Sequence, residues 1–206
     1  MKWIGPPLKE GPLPAMVYFS LSAEESLELD PFNQPAVAQL EHPMRVISFT
    51  LPGHENGARD LSLWNESLLS SFAEKVALEL STFPITKLGA AGLSRGAAVA
   101  CHLAAVMPSV EAILGFAPMT SHLSPQIIQT IANRKIRFYI GNHDTLVGTD
   151  KCAFFIEELA KAAYLQGIRS SPIELIIGPS IGRAGHGTSP ATFVDGALWM
   201  RRQLNV

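Results

Sequence analysis

Apolar residues along this chain follow two rhythms. Short, mostly apolar runs rich in β-branched and aromatic residues stand near Met16–Ser20, Arg45–Thr50, Ile85–Ala91, Ala112–Phe116, Ile136–Ile140 and Ile173–Ile177. Each reads as a strand covered on both faces. Between them lie longer stretches with helical spacing, clearest where Cys152, Phe155, Ile156, Leu159 and Ala163 fall on one side and Glu157, Glu158 and Lys161 on the other. Ser124-Pro125 and Ser189-Pro190 pair a capping residue with proline at the first helical position, and Arg201 and Arg202 suit a helix C-terminus. The alternation predicts an α/β chain: a three-layer α/β/α sandwich around a mostly parallel sheet of about six strands. Residues 1–14 read as an irregular lead-in to a single domain over 1–206.

Composition narrows the function. With 206 residues, 47% of them hydrophobic, the chain can bury one substantial core. A net charge of −2, from 16 basic and 18 acidic residues spread along its length, leaves no footprint for nucleic acid or an anionic membrane, so the expected partner is a small molecule. No run is long and apolar enough for a membrane span. Met1-Lys2-Trp3-Ile4 meets Gly5-Pro6-Pro7 before any apolar stretch of signal-peptide length. Cys101 and Cys152 lack metal-ligand spacing and read as free buried thiols, which points to a cytoplasmic protein that needs no metal.

The chemistry centres on Gly92-Leu93-Ser94-Arg95-Gly96, which joins a strand of small residues to an alanine-rich helix. A sharp strand-to-helix corner excludes Cβ atoms at its flanks and presents the serine Oγ at the helix N-terminus. A serine nucleophile needs a base and a group to orient that base. Both follow at later strand ends: Asp144 in Gly141-Asn142-His143-Asp144, and His186 in Gly185-His186-Gly187. Loops at the carboxyl ends of parallel strands share one edge, so Ser94, Asp144 and His186 should meet there.

This order of nucleophile, acid and base, together with Leu51-Pro52-Gly53-His54 after the second parallel strand, resembles the α/β-hydrolase superfamily. The likeness runs from about Pro14 to the C-terminus. It is nearest to small lidless bacterial members similar to the dienelactone hydrolase and prolyl oligopeptidase groups. The resemblance implies a serine hydrolase, without cofactor or metal, that cleaves a carboxylic ester, or a thioester or small amide. It also implies an oxyanion hole from the backbone N–H groups of Arg95 and, in the loop Ser20-Leu21-Ser22, of Leu21. That loop lacks the family's usual glycine. Ser22, His54 and His143 are candidates to line the substrate pocket. Only Ala117 to Lys135 separates two strands where many relatives insert a cap, and the family's two leading antiparallel strands are reduced to a remnant near Trp3-Ile4.

Rival readings remain at several positions. Asp150 competes with Asp144 but suits the first turn of the next helix. Among the other histidines, His102 suits a packed core position, His42 and His122 have no strand-end placement, and His54 and His143 suit turns. Arg95 suits a structural ion pair or, as a bidentate fork, a substrate carboxylate. Asp30-Pro31-Phe32-Asn33-Gln34-Pro35 reads as a helix cap beside the crevice, and Trp64 as core. Gly89-Ala90-Ala91-Gly92 matches neither a phosphate loop nor a dinucleotide fingerprint. A serine peptidase and a catalytically silent hydrolase fold used for binding are the alternative functions.

Overall fold

The computed structural model describes residues 1–29, 44–55, 64–170 and 172–205. Asp30 to Pro35 and His42 therefore lie outside the described residues. Seven strands form one sheet: β1 (Lys2–Ile4), β2 (Leu13–Phe19), β3 (Arg45–Ser48), β4 (Ile85–Leu93), β5 (Val110–Phe116), β6 (Lys135–Gly141) and β7 (Ile173–Gly178). Their order is β1-β3-β2-β4-β5-β6-β7. All neighbours are parallel except β1, which pairs antiparallel with β3 through Trp3 and Ile47. The expected remnant near Trp3-Ile4 is thus a paired strand, and it adds a seventh to the six anticipated.

Among the described residues, five α-helices flank the sheet: α1 (Glu66–Leu80), α2 (Arg95–Val106), α3 (Pro125–Ile131), α4 (Thr149–Leu165) and α5 (Pro190–Leu204). Period-two alternation sorts the strand residues between two cores. Ala15, Val17 and Phe19 face one core, joined by Ile113, Phe138 and the apolar sides of α1, α2 and α4. Met16, Tyr18, Leu114, Phe116 and Tyr139 face the other, where Phe193, Trp199 and Met200 of α5 cover them. Between β5 and β6 there is only the short α3, as the sequence spacing predicts. The Ser189 hydroxyl caps α5 by accepting from Thr192 N–H at 3.1 Å, whereas Ser124 holds the N-cap of α3 without a side-chain cap bond. Among the described residues, no helix is long and apolar enough to cross a membrane.

The lead-in is not irregular throughout. Leu8–Glu10 forms a 3-10 turn, and the fully buried Arg45 clasps the segment onto the sheet. Its guanidinium donates to the carbonyls of Pro6, Pro7 and Gly11, each at 2.9 Å, and of Pro84 at 3.0 Å. The prolines break the run that would make this a regular strand, and their freed carbonyls become the acceptors. Substituting Arg45→Leu orphans four carbonyls in a buried place, and the expected loss of stability is about 3 kcal/mol or more. Thermal unfolding followed by circular dichroism checks this; an unchanged midpoint refutes it.

Candidate active site

The corner between β4 and α2 is built from close backbone approaches. A Cβ on Gly92 would stand 2.2 Å from the carbonyl carbon of Gly96, and one on Gly96 would stand 2.0 Å from the carbonyl oxygen of Phe19. Only hydrogen fits at either place. Between them Ser94 adopts φ 55° and ψ −114°, a conformation that L-residues rarely take. Its backbone is held on both sides: Ser94 N–H donates to the Phe116 carbonyl at 2.8 Å, and its carbonyl accepts from Ala97 and Met119 N–H at 3.1 Å each.

Asp144 and His186 arrive on two loops zipped together beyond β6 and β7. Asn142 N–H donates to the Gly178 carbonyl at 2.7 Å and Thr145 N–H to the Ala184 carbonyl at 2.9 Å. Ser180 bridges them, its Oγ accepting from His143 N–H at 2.7 Å and donating to Asn142 Oδ1 at 3.0 Å. Gly185, at φ 72°, allows the contact: a Cβ there would meet the His143 carbonyl oxygen at 2.2 Å.

This zip seats His186 between Asp144 and Ser94. Its Nδ1 lies 2.8 Å from Asp144 Oδ2 and its Nε2 lies 2.9 Å from Ser94 Oγ. With a carboxylate as acceptor, Nδ1 carries the proton and Nε2 accepts from the serine hydroxyl. The Asp144 side chain is fully buried, and its other oxygen accepts from Leu146 N–H at 2.9 Å and Val147 N–H at 3.0 Å. Thr149 holds the aspartate's own backbone: its Oγ1 accepts from Asp144 N–H at 3.0 Å and donates to the Gly141 carbonyl at 2.6 Å. Asp150 sits in the first turn of α4, as expected.

The other predicted residues are placed less simply. Arg95 opens α2, so its N–H is one of those at the helix start that have no intrahelical acceptor. The Leu21 N–H, expected beside it, is instead committed to Ser26 Oγ at 3.1 Å. The neighbouring N–H groups are committed as well, Ser22 to Glu25 Oε2 at 3.3 Å and Ala23 to Thr50 Oγ1 at 3.1 Å. Ser22 and Glu25 form a reciprocal capping box, because Glu25 N–H donates to Ser22 Oγ at 3.1 Å while Ser22 N–H donates to Glu25 Oε2, and the Ser22 hydroxyl adds a bond to the same carboxylate at 2.8 Å. Ser22-Ala23-Glu24-Glu25 carries this capping signal in sequence.

His54 is buried with Nδ1 at 3.4 Å from the Pro52 carbonyl, which also accepts from Trp64 Nε1–H at 3.2 Å. Trp64 precedes α1 rather than lying on it. His143 is exposed and lines a cleft of about 600 Å³ that it shares with Asp144, Thr145, Lys151 and Ala153. His102 is a core residue: its Nε2–H donates to the His122 carbonyl at 2.9 Å, Ser70 Oγ lies 3.1 Å from Nδ1, and burial pushes its pKa down. Both thiols are free and buried, and burial raises Cys101 and lifts Cys152 to about 12, which leaves neither a competing nucleophile.

No protein-family model matches the chain, and no curated protein matches it in sequence. Solved structures do match in shape. Zea mays acyl-protein thioesterase 2 superposes with a TM-score of 0.63 at 19% identity, covering 98% of each chain. Est1E from Butyrivibrio proteoclasticus, solved with ferulic acid, gives 0.70 at 10% identity over 100% of this chain and 95% of that one. A lidless α/β serine hydrolase from Xanthomonas campestris gives 0.63 at 17% identity over 94% and 83%. The chain has the α/β-hydrolase fold.

The corner tolerates no side chain at Gly96. Gly96→Ala is expected to push α2 away from Phe19, lowering stability by about 2 kcal/mol or more and displacing Ser94 from His186. Denaturant titration together with labelling by a fluorophosphonate checks both effects; wild-type stability with wild-type labelling refutes them.

Proposed function

We propose that this chain is a serine hydrolase acting on a carboxylic ester, with a thioester or small amide as related substrates. The observation that carries the reading is the hydrogen-bonded run from Asp144 through His186 to Ser94, ending on a serine held in a strained corner. The structural neighbours include an acyl-protein thioesterase and a serine hydrolase, which supports the same class.

His186 takes the Ser94 proton as Oγ attacks the carbonyl carbon, and the imidazolium is stabilised by Asp144. The resulting oxyanion receives the Arg95 N–H, and the second donor is Leu21 N–H once it exchanges Ser26 Oγ for the oxyanion. That exchange swaps a neutral acceptor for a charged one, which favours it. His186 then protonates the leaving oxygen, and water enters by the reverse path to release the acyl group. The catalytically silent alternative draws on one observation, the prior commitment of the loop's N–H groups.

Turnover of short 4-nitrophenyl esters and labelling of Ser94 by a fluorophosphonate separate the two. Ser94→Ala should lower kcat by ~10⁴ or more and remove labelling while the fold persists. Asp144→Asn keeps an acceptor for Leu146 and Val147 yet loses the charge that fixes the imidazole, and should cost about 10³ to 10⁴ in kcat. Absence of labelling and turnover in the folded wild type favours the silent reading.

A further inference from the structure

The Arg95 side chain has no structural task that accounts for its charge. It stands one residue after the nucleophile, half-buried, with its guanidinium carbon 5.5 Å from the centroid of the Trp64 ring. Its Nε is buried and finds no acceptor, and among the described residues no carboxylate pairs with it and no carbonyl accepts from it. Two other enclosed arginines, Arg45 and Arg137, are held by acceptors. Arg45 is matched by four carbonyls. Arg137 is held by Glu174, by Asp195 and by the Tyr139 hydroxyl. The structural ion pair that Arg95 suits on sequence grounds is therefore not made among the described residues.

An arginine that loses water without gaining an acceptor is costly, and stacking on an aromatic face recovers only part of that cost. Burial accordingly lowers its pKa. The ring restrains a guanidinium seated over it, and the guanidinium fork suits a planar anion. Trp64, over which the guanidinium sits, donates through Nε1–H to the Pro52 carbonyl in the loop beyond β3, so the fork belongs to the same carboxyl edge of the sheet as Ser94.

We propose that the Arg95 side chain is a specificity determinant, a bidentate fork for a carboxylate carried by the substrate, with Trp64 as the wall that orients it. The preferred substrate is then a half-ester: an ester of a dicarboxylic acid, or an ester whose alcohol or phenol part bears a carboxylate. This rests on the serine-hydrolase reading. It assigns the side chain a role separate from that of the Arg95 N–H.

Two matched pairs test it. Mono-4-nitrophenyl adipate against 4-nitrophenyl hexanoate places the charge on the acyl side; 4-acetoxybenzoate against its methyl ester places it on the leaving side. The wild type should favour the anionic member of at least one pair by about ten-fold or more in kcat/KM, mostly through KM. Arg95→Met should bring that ratio down to about one, and Arg95→Lys should keep part of it. The ratio is internal to each variant, so a general loss of rate cancels. A wild-type ratio at or below one in both pairs, or an unchanged ratio in Arg95→Met, overturns the proposal while leaving the hydrolase reading standing. If no ester is turned over and Ser94 takes no probe, the hydrolase reading fails instead. Calorimetric titration with adipate then decides: binding lost in Arg95→Met supports the fork, and no binding to the wild type overturns it.

Discussion

Helix α2 must begin within contact distance of the end of β2, and most of the site follows from that one approach. The carbonyl of Phe19 and the backbone of Gly96 leave room for nothing larger than hydrogen between them. This closeness forces the chain to reverse between β4 and α2 in a single residue, puts Ser94 in a positive-φ conformation, and turns its Oγ out of the sheet. The alanines of α2 and the glycines and alanines of β4 serve the same end. Small residues let the helix lie close to the strand, and a closely laid helix fixes the corner.

Asp144 and His186 depend on a different kind of order. Asp144 is a buried charge, and a buried charge is tolerable only when its oxygens are matched. Here two backbone N–H groups and one imidazole N–H share the carboxylate. The turn from Asp144 to Thr149 is shaped to deliver those groups, and the zip through Ser180 and Ala184 brings in His186. Both loops rest on the pairing of β6 with β7, which aligns Gly141 with Gly178.

Much of this was legible in the chain because it is written in local, one-dimensional rules. Apolar runs located all six principal strands, and the glycines flanking Ser94 marked a corner that allows no Cβ. The order Ser94, Asp144, His186, each after the carboxyl end of a parallel strand, placed the three at one sheet edge through topology alone. What was not legible depends on side chains that choose between local partners. The Ser22–Glu25 capping box and the Ser26 hydroxyl take N–H groups that a family pattern assigns to substrate. The Arg45 clasp turns a proline-rich lead-in into a fastened segment through carbonyls distant in sequence. No periodicity announces either. Arg95 is the opposite case, since sequence offered it a structural partner and the described fold supplies none.

The strained serine also bears on how the protein can change over evolutionary time. A residue held outside the common backbone regions costs on the order of 1–3 kcal/mol, against a net stability of about 5–15 kcal/mol for a domain. A sizeable share of the molecule's margin is thus tied up at Ser94. A lineage moving to hotter surroundings could relax that corner and gain stability at once, but the serine would drop back toward the sheet and out of reach of its imidazole. Adaptation that preserves chemistry has to find its stability elsewhere, in the cores, the caps and the fastened N-terminal segment.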